Sequence, residues 1–167
     1  MSKTWENLAA AFAGESQANR RYLAFAKQAD KDGFPQIAKL FRAASAAEAV
    51  HALNHLRIMG GIKSTAENLQ EAINGETFEF TEMYPEYLGV AGEEGENQAS
   101  WSFNSANQVE EIHAGLYKAA AEAVKNGNDL KQVDYYVCQV CGNTVENDPL
   151  EKCQICNAPA KSFLKIE

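Results

Sequence analysis

The sequence predicts a mainly α fold, a four-helix bundle followed by a small C-terminal β segment stapled by metal, and three observations carry that prediction. Two Glu-x-x-His motifs, Glu48 to His51 and Glu110 to His113, fall inside long stretches of helical periodicity. Residues three apart share a helix face, so each motif can aim a carboxylate and an imidazole at one point. All four cysteines lie in the last thirty residues as two Cys-x-x-Cys pairs, Cys138/Cys141 and Cys153/Cys156. A length of 167 residues gives room for one medium domain and an appendage.

Composition narrows the function. A net charge of −8 and a pI near 5.0 leave no basic footprint for nucleic acid or an anionic membrane. No apolar run reaches membrane-spanning length, and no charged N-terminus precedes an unbroken apolar core, so a cytoplasmic protein is expected. Cysteine pairs confined to one end point to a metal knuckle rather than a disulfide framework.

The first helix is predicted from about Thr4 to Asp32, where Leu8, Phe12, Glu15, Asn19, Tyr22 and Ala26 recur at helical spacing. Gly33 stops it, Pro35 suits the first turn of the second, and Gly60-Gly61 ends that one. The two read as an antiparallel hairpin over 4–60. Glu15 and Glu48 then lie about 27 and about 21 Å from the turn, at similar depth. Residues 62–74 read as a connection holding a short helix opened by the capping-box pattern Ser64-Thr65-Ala66-Glu67. A third helix is predicted from about Glu76 to Glu93, bent at Pro85, and a fourth from about Asn97 to Lys125, closed by Gly127. They form a second hairpin, 76–127, in which Glu79 and Glu110 again match in depth. The domains expected are therefore 1–127, helical, and 133–167, where β-formers such as Tyr135, Tyr136 and Val137 alternate with turn residues. The second is too short to bury an adequate core and needs its metal. Because the connection at 126–134 is short, electron transfer across a dimer interface is expected to be more reachable than within one chain.

Inside a bundle the candidate ligands are Glu15, Glu48, His51, Glu76, Glu79, Glu110 and His113. One Glu from each of two helices plus a Glu-x-x-His from each of the other two is the ligand pattern of ferritin-like di-metal bundles, and Glu15, Glu76 and the two motifs satisfy it, with Glu79 in surplus. Burying so many carboxylates without cations would be prohibitively costly. Oxygen-rich ligation with two imidazoles suits iron or manganese better than zinc. Each residue also has a plainer role: Glu15 as a surface helix residue, Glu79 as a first-turn carboxylate favoured by the helix dipole, and His55 as a hydrogen-bonded or exposed histidine. Tyr22 and Tyr84 are core aromatics or phenols that hydrogen-bond ligand carboxylates. The paired knuckles specify a tetrahedral tetrathiolate site, which accepts structural zinc or a redox-active single iron.

These stretches resemble the rubrerythrin family across nearly the whole chain. The resemblance rests on 11–18 (AFAGESQA) with Arg21-Tyr22, Asp32-Gly33-Phe34, Glu48-x-x-His51, and Gly75-Glu76-x-x-Glu79-x-x-Glu82-Met83-Tyr84-Pro85. Glu110-x-x-His113 and the two knuckles complete it. It implies a ferritin-like four-helix bundle with a rubredoxin-like β/knuckle domain at its C-terminal end. It implies two irons in the bundle, oxo- or hydroxo-bridged, and one iron on Cys138, Cys141, Cys153 and Cys156, with zinc as a substitute. By that resemblance Glu48 and Glu110 bridge the irons, Glu15 and Glu79 are terminal on one, and Glu76 and His113 are terminal on the other. His51 replaces Glu79 on reduction, and Tyr22 and Tyr84 hold ligand carboxylates. The activity implied is a cytoplasmic peroxidase acting on hydrogen peroxide in oxidative-stress defence. Its electron donor would be rubredoxin or an NAD(P)H-dependent reductase, since no Gly-x-Gly-x-x-Gly fingerprint is present to bind NADH. A homodimer is implied, with hairpins exchanged between subunits as in some shorter members. The second knuckle, Cys-Gln-Ile-Cys, departs from the family's usual Pro, which bears on the potential and not on the ligation. Ferroxidase or iron-handling work, oxygen reduction, and a structural zinc ribbon are the competing functions.

Overall fold

The first helix, α1 (Lys3–Lys31), packs along the second, α2 (Pro35–Ile58), in a computed structural model that describes residues 2–149 and 151–167. The turn between them is built as the sequence indicates. Gly33 takes φ 81°, its N–H bonds the Asp30 carbonyl, and the Phe34 N–H reaches back to Ala29 at 2.8 Å. That left-handed step satisfies carbonyls the helix end leaves over, and a Cβ would strain it. Pro35 follows in the first turn of α2, where its missing N–H costs nothing.

Small residues line this hairpin. Ala18, Ala26 and Ala29 of α1 and Ala38, Ser45 and Ala52 of α2 are the buried ones. A seam of small residues lets the helices approach closely and leaves large side chains such as Phe25, Leu40, Val50 and Leu53 exposed. One polar clasp crosses it. The Asn19 amide donates to the Ser45 carbonyl at 2.8 Å and to Ser45 Oγ at 2.9 Å, and the Ser45 hydroxyl donates to the Asn19 carbonyl at 3.0 Å.

The chain divides into two compact units, Met1–Lys63 and Ser64–Glu167. The second unit opens with α3 (Thr65–Phe78), which begins about eleven residues before the third helix expected from Glu76. The capping box at Ser64 and Glu67 forms in full and starts a helix strong enough to run through Gly75 without a break. A π-helical turn, Glu79–Met83, then separates α3 from α4 (Tyr84–Glu93). Pro85 explains the turn. The Tyr84 N–H bonds the Glu79 carbonyl five residues back, and Pro85, with no N–H to offer, falls in the first turn of α4. Next, α5 (Asn97–Lys125) packs against α3 and α4 with Ser105, Val109 and Ala114 buried, and Gly127 at φ 71° closes it. No helix among the described residues is long and apolar enough to cross a membrane.

A three-stranded antiparallel sheet completes the unit: β1 (Tyr135–Cys138) lies between β2 (Thr144–Glu146) and β3 (Phe163–Ile166), pairing Tyr136 with Val145 and with Lys165. A 3₁₀ turn, Ala160–Ser162, leads into β3. The start of β2 packs on α5 of the same chain. The path length permits this: an extended stretch from 126 to 134 spans about 30 Å, more than the roughly 18 Å of helix between His113 and Lys125. Within one chain, then, the connection is long enough for the start of β2 to reach α5.

Removing the clasp tests the hairpin. Asn19→Ala leaves the Ser45 hydroxyl and carbonyl without their amide donor at a buried seam and should lower unfolding stability of the metal-free protein by about 1–3 kcal/mol. Urea denaturation followed by circular dichroism measures it.

Candidate metal centres

The hairpin turn at Gly33 sets α1 and α2 in a register that brings Glu15 to the level of Glu48 and His51. One ligand atom from each lies within 4.8 Å of the others. His51 Nδ1 is 2.9 Å from Glu48 Oε2, the contact that i,i+3 spacing on α2 produces. Glu48 is largely covered at 19 % exposure, whereas His51 stands out at 54 %. Tyr22, on α1, packs its ring against Phe25 and Phe41, each at 6.2 Å between centroids. His55 does not join the cluster, and its Nδ1 is buried with no hydrogen-bond partner.

The second unit builds the matching cluster from α3 and α5. Glu76, Glu110 and His113 each bring one ligand atom within the same 4.8 Å limit. His113 Nδ1 lies 2.8 Å from Glu110 Oε2 and 3.9 Å from Glu76 Oε1, while Nε2, on the opposite edge of the ring, lies 2.9 Å from the hydroxyl of Thr144. Glu79 is not one of the three, although its charge acts on them. The π turn begins at Glu79, so its backbone leaves the α3 register in which Glu76 is held.

Electrostatics show what this cluster lacks. Burial, and then the neighbouring Glu110 carboxylate, push the Glu76 carboxyl up to about 7. Glu79 is raised by burial and by Glu110 as well, and His113 is raised chiefly by its hydrogen bond to Glu110. The Tyr84 phenol is raised by burial and by the charges of Glu110, Glu79 and Glu76, so it keeps its proton beside these carboxylates. The cluster therefore calls for counter-charge. Metal cations would supply it, and a donor set of carboxylate oxygens with imidazole suits iron or manganese.

The four cysteines converge as the knuckle spacing predicts. Cys138 Sγ to Cys156 Sγ is 3.7 Å, and Cys141 Sγ to Cys153 Sγ is 3.6 Å. A tetrahedron of sulfurs about 2.3 Å from a central metal has edges of about 3.8 Å, so the cage is of the size iron or zinc requires. Burial opposes ionisation of Cys153, but the backbone N–H groups of Cys156 and Ile155 and the amide of Asn143 overcome it and bring the thiol down to about 7. Asn143 is almost wholly buried, with Nδ2 3.6 Å from Cys153 Sγ, and its carbonyl accepts the Cys138 N–H at 2.9 Å. Sequence reasoning missed Asn143 and Thr144. The only signal was a polar pair directly after a knuckle glycine, which reads as an ordinary turn.

Known proteins place this geometry in context. The Rubrerythrin family model matches residues 6–121. The chain is 34% identical to Rubrerythrin-2 of Clostridium acetobutylicum over 96% of its own length and 95% of that protein's. It is 35% identical to Nigerythrin of Nitratidesulfovibrio vulgaris over 98% and 86% of the two chains. Among solved structures, nigerythrin in its fully reduced, all-ferrous state aligns with a TM-score of 0.58 and 33% identity, covering 99% of this chain and 88% of that one.

The metal-free cluster has a testable pH signature. Glu76, at about 7 when folded against 4.5 unfolded, holds its proton more tightly in the folded state, so stability falls as pH rises from about 4.5 to about 7. The raised Glu79 has the same sign, as does His113, whose contribution is lost as pH rises through its elevated folded value. The metal-free protein should therefore melt at a lower temperature at pH 8 than at pH 5.5. Adding Fe(II) or Mn(II) anaerobically should raise the melting temperature more at pH 8, with protons released on binding near pH 6. Scanning calorimetry and a pH-indicator titration provide both readings.

Proposed function

The chain belongs to the rubrerythrin family, and from that premise we propose that it is a non-haem di-iron peroxidase, reducing hydrogen peroxide to water in cytoplasmic oxidative-stress defence. The observation that carries the reading is the set of three clusters in one chain: Glu15/Glu48/His51, Glu76/Glu110/His113 and the four cysteines. The first two together hold the donors for a pair of irons. The third fits a single iron that passes electrons one at a time. As chemical support, the solved relative named above is all ferrous in its reduced state. We assign residues 1–127 to the di-iron domain and 133–167 to the electron-feeding one.

Peroxide reduction consumes two electrons and two protons and yields two waters. When bound, the irons supply the electrons and the Lewis acidity at which the O–O bond breaks. The protein's residues supply the rest. Glu48 and Glu110, the carboxylates of the two Glu-x-x-His motifs, would hold the irons as bridging ligands. Glu15, Glu76 and His113 are assigned as terminal ligands, with Glu79 and His51 as alternatives for one position. Glu79 lies at the start of the π turn and outside its neighbours' cluster, and His51 is more than half exposed, which supports an exchange between them. Tyr84 stays protonated in the field of the carboxylates and is suited to donate to one of them. Electrons come from rubredoxin or a separate NAD(P)H-dependent reductase. A homodimer fits the exposed Phe34, Ile37, Leu40, Val50 and Leu53, apolar side chains that a second copy would cover.

The decisive experiment adds one equivalent of peroxide to the fully reduced protein and follows the visible iron–thiolate bands. The native protein should carry about three irons per chain and oxidise within the mixing experiment. Glu110→Ala should keep the four-sulfur colour and lose at least about a hundredfold in peroxidase turnover. Full turnover by Glu110→Ala with two irons still in the helical site would overturn the reading. Faster turnover with dioxygen than with peroxide would transfer the assignment to oxygen reduction.

A further inference from the structure

We propose that Tyr84 and Tyr87 form a two-step electron relay from the protein surface to the carboxylate–histidine centre, used when peroxide arrives while the metals are already oxidised. The inference rests on the peroxide-reducing reading above and adds to it a safeguard that bypasses the four-cysteine site.

Two aromatic triads share one design. In the first hairpin Tyr22 meets Phe25, one turn along α1, and Phe41 of α2, and the edges Tyr22–Phe25, Tyr22–Phe41 and Phe25–Phe41 measure 6.2, 6.2 and 5.6 Å between centroids. In the second unit Tyr84 meets Tyr87, one turn along α4, and Phe103 of α5, with the corresponding edges at 6.3, 6.2 and 5.5 Å. A phenyl and a phenol thus pack equally well at the outer corner. What separates the triads is the Tyr87 hydroxyl, which packing does not require.

That hydroxyl changes the redox chemistry. A phenol loses one electron together with its proton and leaves a neutral phenoxyl radical, a route closed to Phe25. Tyr84 stands at the metal end, its phenol in the field of Glu110, Glu79 and Glu76. Tyr87 stands at the outer end, 42% exposed, and with Phe103 it lines an open cavity of about 490 Å³. The two tyrosine rings meet edge to face at 89° with centroids 6.3 Å apart, so an electron crosses between them in one short step.

The balance closes on these two residues. One peroxide takes up two electrons and two protons and yields two waters. With every iron ferric, Tyr84 gives the first electron, is refilled by Tyr87, and gives the second, so that two phenoxyls remain. Each proton leaving Tyr84 passes by an adjoining carboxylate to the peroxide oxygens, and the proton Tyr87 releases to water replaces the one Tyr84 regains. A small neutral quinol then restores both phenols, giving each one electron and one proton and leaving as the quinone. Glu86, Glu94 and Glu96 line the same cavity and disfavour anionic donors.

The test gives one equivalent of peroxide to full-length, iron-loaded, fully oxidised protein without reductant. Freeze-quenched electron paramagnetic resonance, with ring-deuterated tyrosine as the comparison, detects the phenoxyl, and peptide mapping locates dityrosine. Native protein should show the phenoxyl signal and dityrosine at Tyr87, and hydroquinone added with the peroxide should suppress both. Tyr87→Phe should lower dityrosine and the rate of hydroquinone oxidation at least about tenfold, while peroxidase turnover of the reduced protein stays within about twofold of native. Undiminished dityrosine and hydroquinone oxidation in Tyr87→Phe, or no phenoxyl in native protein that does turn over peroxide when reduced, would overturn the relay alone. If the reduced native protein does not turn over peroxide, the reading beneath the relay falls and the relay falls with it.

Discussion

Carboxylates brought together in a partly covered space repel one another, and that repulsion is the constraint on which the helical part of this protein depends. Glu76 and Glu110 are each at least four-fifths covered, and Glu76 responds by holding a proton up to about 7. A cluster of this kind persists only with counter-charge. Protons provide it in part, and metal ions do so without sacrificing the lone pairs. Metal binding and helix packing are therefore one thermodynamic event, and the seams of small residues, which offer modest apolar burial, make the linkage stronger.

A similar dependence governs the C-terminal sheet. Three strands of three or four residues cannot bury enough apolar surface to hold themselves together. Its innermost groups are Cys138, Cys153 and Asn143, so the cage of sulfurs and the amide aimed at it occupy the place of an apolar core. The strand that follows the first knuckle also touches the helical part, with the Thr144 hydroxyl 2.9 Å from His113 Nε2.

Much of this was legible in residue pattern. Helix ends at Gly33 and Gly127, the span of α5, the strand at Tyr135, the grouping of each Glu-x-x-His with one further glutamate, and the convergence of four cysteines all follow from short-range rules. The start of α3 was not legible to the same degree, because the capping box at Ser64 and the apolar spacing beyond Glu76 read as separate elements until the backbone ran through Gly75. The π turn escaped for a related reason. Pro85 announces a disturbance in a helix, but whether the chain kinks, breaks or takes a wider turn depends on the packing of α4 against α5.

The sequence by itself determined the ligand types and their pairing along each helix, since three-residue spacing and Cys-x-x-Cys spacing are set by covalent geometry and helical pitch. Only the tertiary structure decided which glutamate completes each cluster, that Glu79 stands apart from Glu76, and that Thr144 meets His113. Those outcomes turn on how elements distant in sequence pack side by side, with 31 positions separating the last pair. No local pattern specifies that approach, because it is settled by side-chain volume, the length of the 126–134 connection and the hydrogen bonds each buried polar group must find.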